Sequence, residues 1–239
     1  MDDVLSRLLD KAWGRFQETP SDTRFLIAIA GIPGSGKTTL SKRLTAALNA
    51  RHAAHSPTDP PIAAFVPMDG YHHTRAQLDA MPDPATAHAR RGAEFTFDGE
   101  GFVQLVKRLK EPLTIDSTTV FAPSFDHATK DPKENDIAIE PTHRIVVLEG
   151  NYLLLPHPPW SHAHPLFSLT IFVSVPTSLA RTRLAARHVA AGLAATLAEG
   201  DRRAVENDLP NGAEVTRLLR REAVDEVVES TEDGGWAGL

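Results

Sequence analysis

The chain has 239 residues, 23% charged and 41% hydrophobic, a balance that suits one large globular domain with its own core. A formal net charge of -6 argues against a broad nucleic-acid-binding surface, which needs clustered Lys and Arg. There are no cysteines, which excludes disulfides, thiolate zinc sites, iron–sulfur clusters and cysteine nucleophiles and suits a reducing, cytoplasmic location.

Val4, Leu5, Leu8, Leu9, Ala12, Trp13 and Phe16 recur at helical spacing and predict a helix over 3–17, packed on the domain. Its acidic start at Asp2 and Asp3 lacks the basic opening and apolar middle of a secretory signal. No apolar run approaches the roughly 20 residues that cross a bilayer, so no membrane partner is expected. Residues 25–30 (FLIAIA) read as a strand buried on both faces, and 31–36 as a glycine-rich loop. A helix over 38–50 and a polar, proline-bearing loop over 52–61 follow. A second strand over 62–67 ends at Met68-Asp69-Gly70.

Residues 71–98 carry His, Arg, Pro and Gly with little periodicity and read as a functional insertion with short helices. Residues 102–109 form an amphipathic helix, and 114–139 read as loop and short strand. A third strand over 145–148 ends at Glu149-Gly150, and a fourth over 169–175 ends at Pro176. Residues 179–191 are helical. A further helix over 202–208 is expected to close at Leu209-Pro210-Asn211-Gly212, before a last strand over 225–230 and a frayed tail. Strands alternating with helices predict a single α/β domain with a mostly parallel sheet covered on both faces, its core over 24–215. Ligands of such sheets sit at the carboxyl ends of strands, where Gly31, Asp69 and Glu149 should converge.

Gly31-Ile-Pro-Gly-Ser-Gly-Lys-Thr matches G-x-x-x-x-G-K-[ST], with a strand before it and a helix after. Glycines let backbone N–H groups turn toward phosphate oxygens, and the helix presents its N-terminus to the same anion. Lys37 supplies a mobile positive charge for terminal phosphates, and Thr38 a hydroxyl for magnesium. Gly31, Pro33, Gly34, Ser35, Gly36, Lys37, Thr38 and Thr39 are thus the expected nucleotide contacts. The loop alone does not separate a kinase from an ATPase or GTPase. Moving a phosphoryl group to an alcohol needs a base near the hydroxyl and a metal that neutralises phosphate charge. Asp69 is assigned as the base and Glu149, with Thr38, as the magnesium-side carboxylate. Either alone would read as an ordinary turn residue.

Residues 65–72 (FVPMDGYH), 91–102 (RGAEFTFDGEGF), 122–127 (APSFDH) and 148–154 (LEGNYLL) occur in that order after the loop. Together the set resembles the phosphoribulokinase, uridine kinase and pantothenate kinase family, nearest its MDG(F/Y)H subgroup, whose substrate is unsettled. The resemblance implies a P-loop NTPase three-layer α/β/α fold with a helical lid over about 180–200. It implies that Asp69 is the catalytic base, that Asp98 holds acceptor hydroxyls, and that Phe125, Asp126 and His127 lie on a strand pair closing over the acceptor. The tyrosine-and-histidine spacing that reads a pyrimidine is not reproduced, which speaks against uridine itself.

Tyr71 and His72 follow the base directly and are expected to hydrogen-bond the acceptor; plain loop packing is the alternative. Arg91, beside Arg90, would attract an anionic acceptor, or form a solvated pair. Arg181, Arg183, Arg187 and His188 lie within two helical turns. Arg183 and Arg187 are assigned to transition-state charge and His188 to the nucleotide, as in the lid that the segment resembles. Arg181 reads as a solvated cation, and Asn207 and Asp208 as a helix cap or lid contact. His157, His162 and His164, among prolines, read as an exposed loop rather than a metal site. The expectation is a kinase that uses ATP and Mg2+ on a hydroxyl of a small metabolite such as a nucleoside, sugar or pantothenate-like acid. A P-loop hydrolase acting as a switch and a non-catalytic nucleotide sensor are the competing readings. The sequence does not show oligomeric state.

Overall fold

All seven residues of β1 (Phe25–Gly31) are buried, which is why the segment carries no polar alternation. The computed structural model of the chain describes residues 1–126 and 128–236. β1 lies at the centre of a five-stranded sheet with β2 (Ala63–Pro67), β5 (Ile145–Gly150), β6 (Leu169–Ser174) and β7 (Glu226–Glu229), in the order β2-β5-β1-β6-β7. Every pairing in this sheet is parallel. The sheet, with one core on each face, is the three-layer α/β/α architecture the sequence implies.

On one face, α1 (Asp2–Gln17) and α2 (Lys37–His55) cover Ile27, Ile29, Val147 and Ile171 with Leu8, Ala12, Leu40, Leu44 and Leu48. Charge fixes α1 in place: Arg7 and Lys11 pair with Glu226 and Arg15 with Asp225, both acids at the β7 edge. The opposite face is covered by α5 (Gly99–Leu109), whose Phe102, Val103 and Val106 pack on Leu26, Ala28 and Val146. Two short helices, α3 (Arg75–Asp79) and α4 (Pro84–Ala89), lie in the expected insertion. Thr74 starts α3 with a reciprocal capping box, and Asp83 caps α4 ahead of Pro84.

Three segments differ from the sequence reading. Residues 114–139 hold a two-stranded antiparallel hairpin, β3 (Val120–Asp126) and β4 (Asp131–Ile139), rather than loop with a short strand. β4 is largely exposed, carries Pro132 and a positive-φ Asn135, and so reads as loop by composition. Residues 209–212 continue a helix instead of ending one. α6 (Thr177–Ala190) and α7 (Leu197–Arg203) lead through a π-helical turn (Ala204–Asp208) into α8 (Leu209–Leu218). Pro210 follows directly on the π-helical turn, where the regular i→i−4 ladder is already interrupted, so its missing N–H is accommodated inside the continuous helix. Gly212 serves packing, since a Cβ there would lie 3.1 Å from Ile32 of the phosphate loop. Finally, the tail is packed as far as Trp236, which is 1% exposed.

Candidate active site

The loop between β1 and α2 is shaped by close approach. A Cβ on Gly31 would stand 2.7 Å from Ser35 Oγ and 2.8 Å from the Val173 carbonyl. Gly34 (φ 79) and Gly36 (φ 85) hold left-handed conformations that favour glycine. At Gly36 a Cβ would also meet the Trp236 carbonyl at 2.9 Å, so the C-terminal segment braces the loop from outside. Gly36 caps α2 without a side chain, and no acid lies in the first turn of that helix. Its leading N–H groups are left for an anion. The Ser35 hydroxyl, buried in the loop, has no protein partner.

Parallel register carries two further strand ends to this loop. Glu149 of β5 stands level with Ile29 of β1 and Pro67 of β2, and Asp69 follows two residues beyond Pro67. Lys37 Nζ lies 3.6 Å from Glu149 Oε1, with Lys37 8% and Glu149 5% exposed. Burial pushes the Glu149 carboxyl above the usual carboxylate range. Lys37 and the Thr38 hydroxyl oppose that shift, while the nearby Asp69 charge adds to it. Lys37, Thr38, Asp69 and Glu149 therefore share one electrostatic environment. The glycine cradle, the uncapped helix and an exposed threonine hydroxyl beside a buried carboxylate fit a triphosphate with its magnesium.

Asp69 and Tyr71 lie in a single 3-10 turn, Met68–Tyr71, directly after β2. Gly70 is needed there because a Cβ would sit 2.1 Å from the Pro123 carbonyl of β3. The hairpin thus docks against the backbone beside Asp69. Tyr71 is 8% exposed and packs edge-on to Phe102, its hydroxyl held above the usual tyrosine range by burial and by Asp98 and Glu134. His72 Nδ1 donates to the Asp69 carbonyl at 2.8 Å. Its ring lies between Phe97 (4.0 Å) and Phe125 (4.8 Å), and the Arg91 guanidinium lies over Phe125 at 5.5 Å. Arg91 also donates to the His73 carbonyl and to Asp131 of β4. Asp98 caps α5 by accepting from the Gly101 amide. Its side chain is exposed beside Tyr71. Phe125 and Asp126 end β3, and His127 lies outside the described residues.

The basic helix α6 splits into three environments. Arg181 forms a two-pronged pair with Asp201 of α7, more than the solvated cation expected of it. Arg183 donates to the Gly34 carbonyl at 3.3 Å, to Ser230 Oγ at 2.7 Å and to the Thr231 carbonyl at 2.5 Å, tying the phosphate loop to the C-terminal segment. Arg187 and His188 both face Asp208, at 3.5 and 2.8 Å. Asp208 contacts α6 and Asn207 the insertion, and neither caps a helix, since α8 has no side-chain cap. His157 bonds Glu94 instead of standing free in a loop, and among the described residues no group of three or more His, Asp or Glu could hold a metal. Asn211, Asp131, Ser230 and Trp236 were not singled out by sequence. Only the position of Asn211 in the NDLPN stretch carried a signal.

A parallel sheet whose central strand feeds a complete phosphate loop, with two acids delivered from neighbouring strand ends, defines a P-loop kinase. The chain belongs to the family described as Phosphoribulokinase / Uridine kinase, whose model matches residues 26–189. It is 52% identical over 172 residues to the ATP-dependent kinase-like protein notR' of Aspergillus versicolor, spanning 72% of this chain and 96% of that protein. It is 45% identical over 188 residues to a Schizosaccharomyces pombe protein provisionally named uridine kinase C227.14, spanning 79% and 76% respectively. The crystal structure of YFH7 from Saccharomyces cerevisiae superposes with a TM-score of 0.83 at 25% identity, covering 94% of this chain and 98% of that one. No helix among the described residues is long and apolar enough to cross a membrane.

Proposed function

We propose that the protein transfers the terminal phosphoryl group of ATP to a hydroxyl of a small metabolite, with Asp69 as the general base. One observation carries the reading: Asp69 shares an electrostatic environment with Glu149, Lys37 and Thr38 at the mouth of the phosphate loop. In the transfer, the acceptor oxygen bonds to the γ-phosphorus while the bond from that phosphorus to the bridging oxygen breaks. The hydroxyl proton passes to the Asp69 carboxylate, and ADP leaves with the bridging electron pair. Lys37 and the α2 N-terminus hold the phosphates, and Thr38 and Glu149 would hold magnesium, which neutralises phosphate charge when bound.

Arg187, on the helix expected to act as a lid, is assigned with Arg183 to the charge that spreads over the transferring oxygens, and His188 to the nucleotide. Arg183 also touches the loop backbone, which supports a part in holding the nucleotide site together. His72, Phe97, Phe125 and Arg91 form a wall of tilted rings and a guanidinium beside Asp69. With Tyr71, Asp98 and Asp126, that wall is the proposed acceptor side. An aromatic face next to a guanidinium suits an acceptor with both a flat or apolar part and a polar or anionic one. The relatives' names span a uridine kinase and kinases without a stated acceptor, so the acceptor is left as a class.

The test is a metabolite-library screen with purified protein, ATP and Mg2+, read by mass spectrometry for a gain of one phosphate. The proposal expects ATP consumption that depends on a particular metabolite and a matching phosphorylated product. Brisk hydrolysis indifferent to every metabolite pool would replace it with a P-loop hydrolase.

A further inference from the structure

Residues 204–208 make the one π-helical turn among the described residues, a geometry that is rare and concentrates at functional sites. Neighbouring side chains of this turn take partners on two different elements. Asn207 takes the insertion: its Nδ2 donates to the Arg91 carbonyl at 2.9 Å, and its Oδ1 accepts from Arg90 Nε at 3.1 Å. Asn211, 2% exposed, accepts from Arg90 Nη2 at 2.7 Å. Asp208 takes α6: its Oδ2 meets His188 Nε2 at 2.8 Å and its Oδ1 meets Arg187 Nη2 at 3.5 Å.

The contacts continue past Arg91. Its guanidinium donates to the His73 carbonyl at 2.9 Å and to Asp131 at 3.1 Å, and lies over Phe125. An unbroken series of contacts therefore runs from the basic end of α6, through residues 208 and 207, to Arg91 and both strands of the hairpin. The chemistry of the middle position is restrictive. It must donate to a carbonyl and accept from a guanidinium at once, which a carboxamide does and a carboxylate or an alkyl group does not. Arg90 meets two neutral amides rather than an acid, so this joint is oriented by geometry rather than by charge neutralisation.

We propose that Asn207 is a positioning residue that sets Arg91, and through it the β3–β4 hairpin, according to the position of Arg187 and His188 on α6. Nucleotide engagement by α6 and ordering of the acceptor side are then one event. The direction of that signal rests on the phosphotransfer reading above.

The test is hydrogen–deuterium exchange of the full chain with and without Mg2+ and the non-hydrolysable analogue AMP-PNP, in wild type, Asn207→Ala and Asn207→Asp. In wild type the analogue should slow exchange in peptides over 31–40 and, by roughly threefold or more, over 86–98. In both variants the 31–40 response should persist and the 86–98 response should vanish. Asn207→Asp keeps the size and serves if the alanine variant does not fold. The proposal is overturned if 86–98 does not respond in wild type, or responds equally in a folded variant. It is overturned too if a variant merely speeds exchange there by the same factor with and without nucleotide, the mark of a purely structural role. If 31–40 does not respond in wild type, nucleotide binding itself fails, and this proposal with it.

Discussion

Glu149 sits deep beside Lys37, and its shift ties stability to pH. Burial holds its folded-state pKa above the unfolded value. The sign follows from linkage. The folded state binds this proton more tightly, so the contribution is full below the ordinary carboxylate range and is lost as pH rises through the raised value. Gln cannot titrate. The stability of Glu149→Gln relative to wild type should therefore climb across that window, as read by thermal melts over a pH series. Parallel melting curves would show that the carboxyl is not shifted. Arg183 and Arg187 separate by their partners. Arg183→Ala removes three charge-assisted contacts to the loop and the C-terminal segment and should cost about 1.5–3 kcal/mol, loosening nucleotide binding as well. Arg187 has a single exposed pair at 3.5 Å, so Arg187→Ala should change stability by less than about 1 kcal/mol while lowering turnover. Sequence spacing put both arginines on one face of α6. It could not show that one turns to Ser230 and Thr231, since those partners come from a segment 47 and 48 residues away in the chain.

At the scale of elements, the hairpin docks on the backbone beside Asp69. Gly70→Ala would drive a methyl group into the Pro123 carbonyl, 2.1 Å from the built Cβ. Undocking the hairpin should cost about 1–3 kcal/mol and abolish transfer to the acceptor while leaving nucleotide affinity within about twofold. Melting curves and nucleotide titration check both halves. Strands with continuous apolar runs, such as 25–30 and 145–148, were legible because burial on both faces leaves no room for polar residues. The nine-residue β4 was not, because most of it is exposed and its polar composition mimics a loop. The helix runs on through Leu209-Pro210, which reads locally as a stop. The π-helical turn just before Pro210 lets it continue, and that turn has no signature in the local sequence.

Across the whole molecule, distant parts of the chain converge on the phosphate loop. Trp236 packs on Gly36, and Gly212 of α8 lies against Ile32. Trp236→Ala should cost about 3–5 kcal/mol, a fall in Tm of about 2–4 °C per kcal/mol for a chain of this size. A fall of no more than a degree would mean that the segment does not brace the loop. The architecture and the loop were legible because both are local patterns repeated in order along the chain. The braces, the π-helical joint and the aromatic wall beside Asp69 were not, because they depend on contacts between remote segments. In the proposed reaction Asp69 takes a proton from an alcohol held next to a gripped triphosphate. The most direct measurement compares wild type and Asp69→Asn with the acceptor found by the library screen. The expected result is ATP affinity within about twofold and turnover lowered about a hundredfold or more. Equal turnover in the two proteins would contradict it.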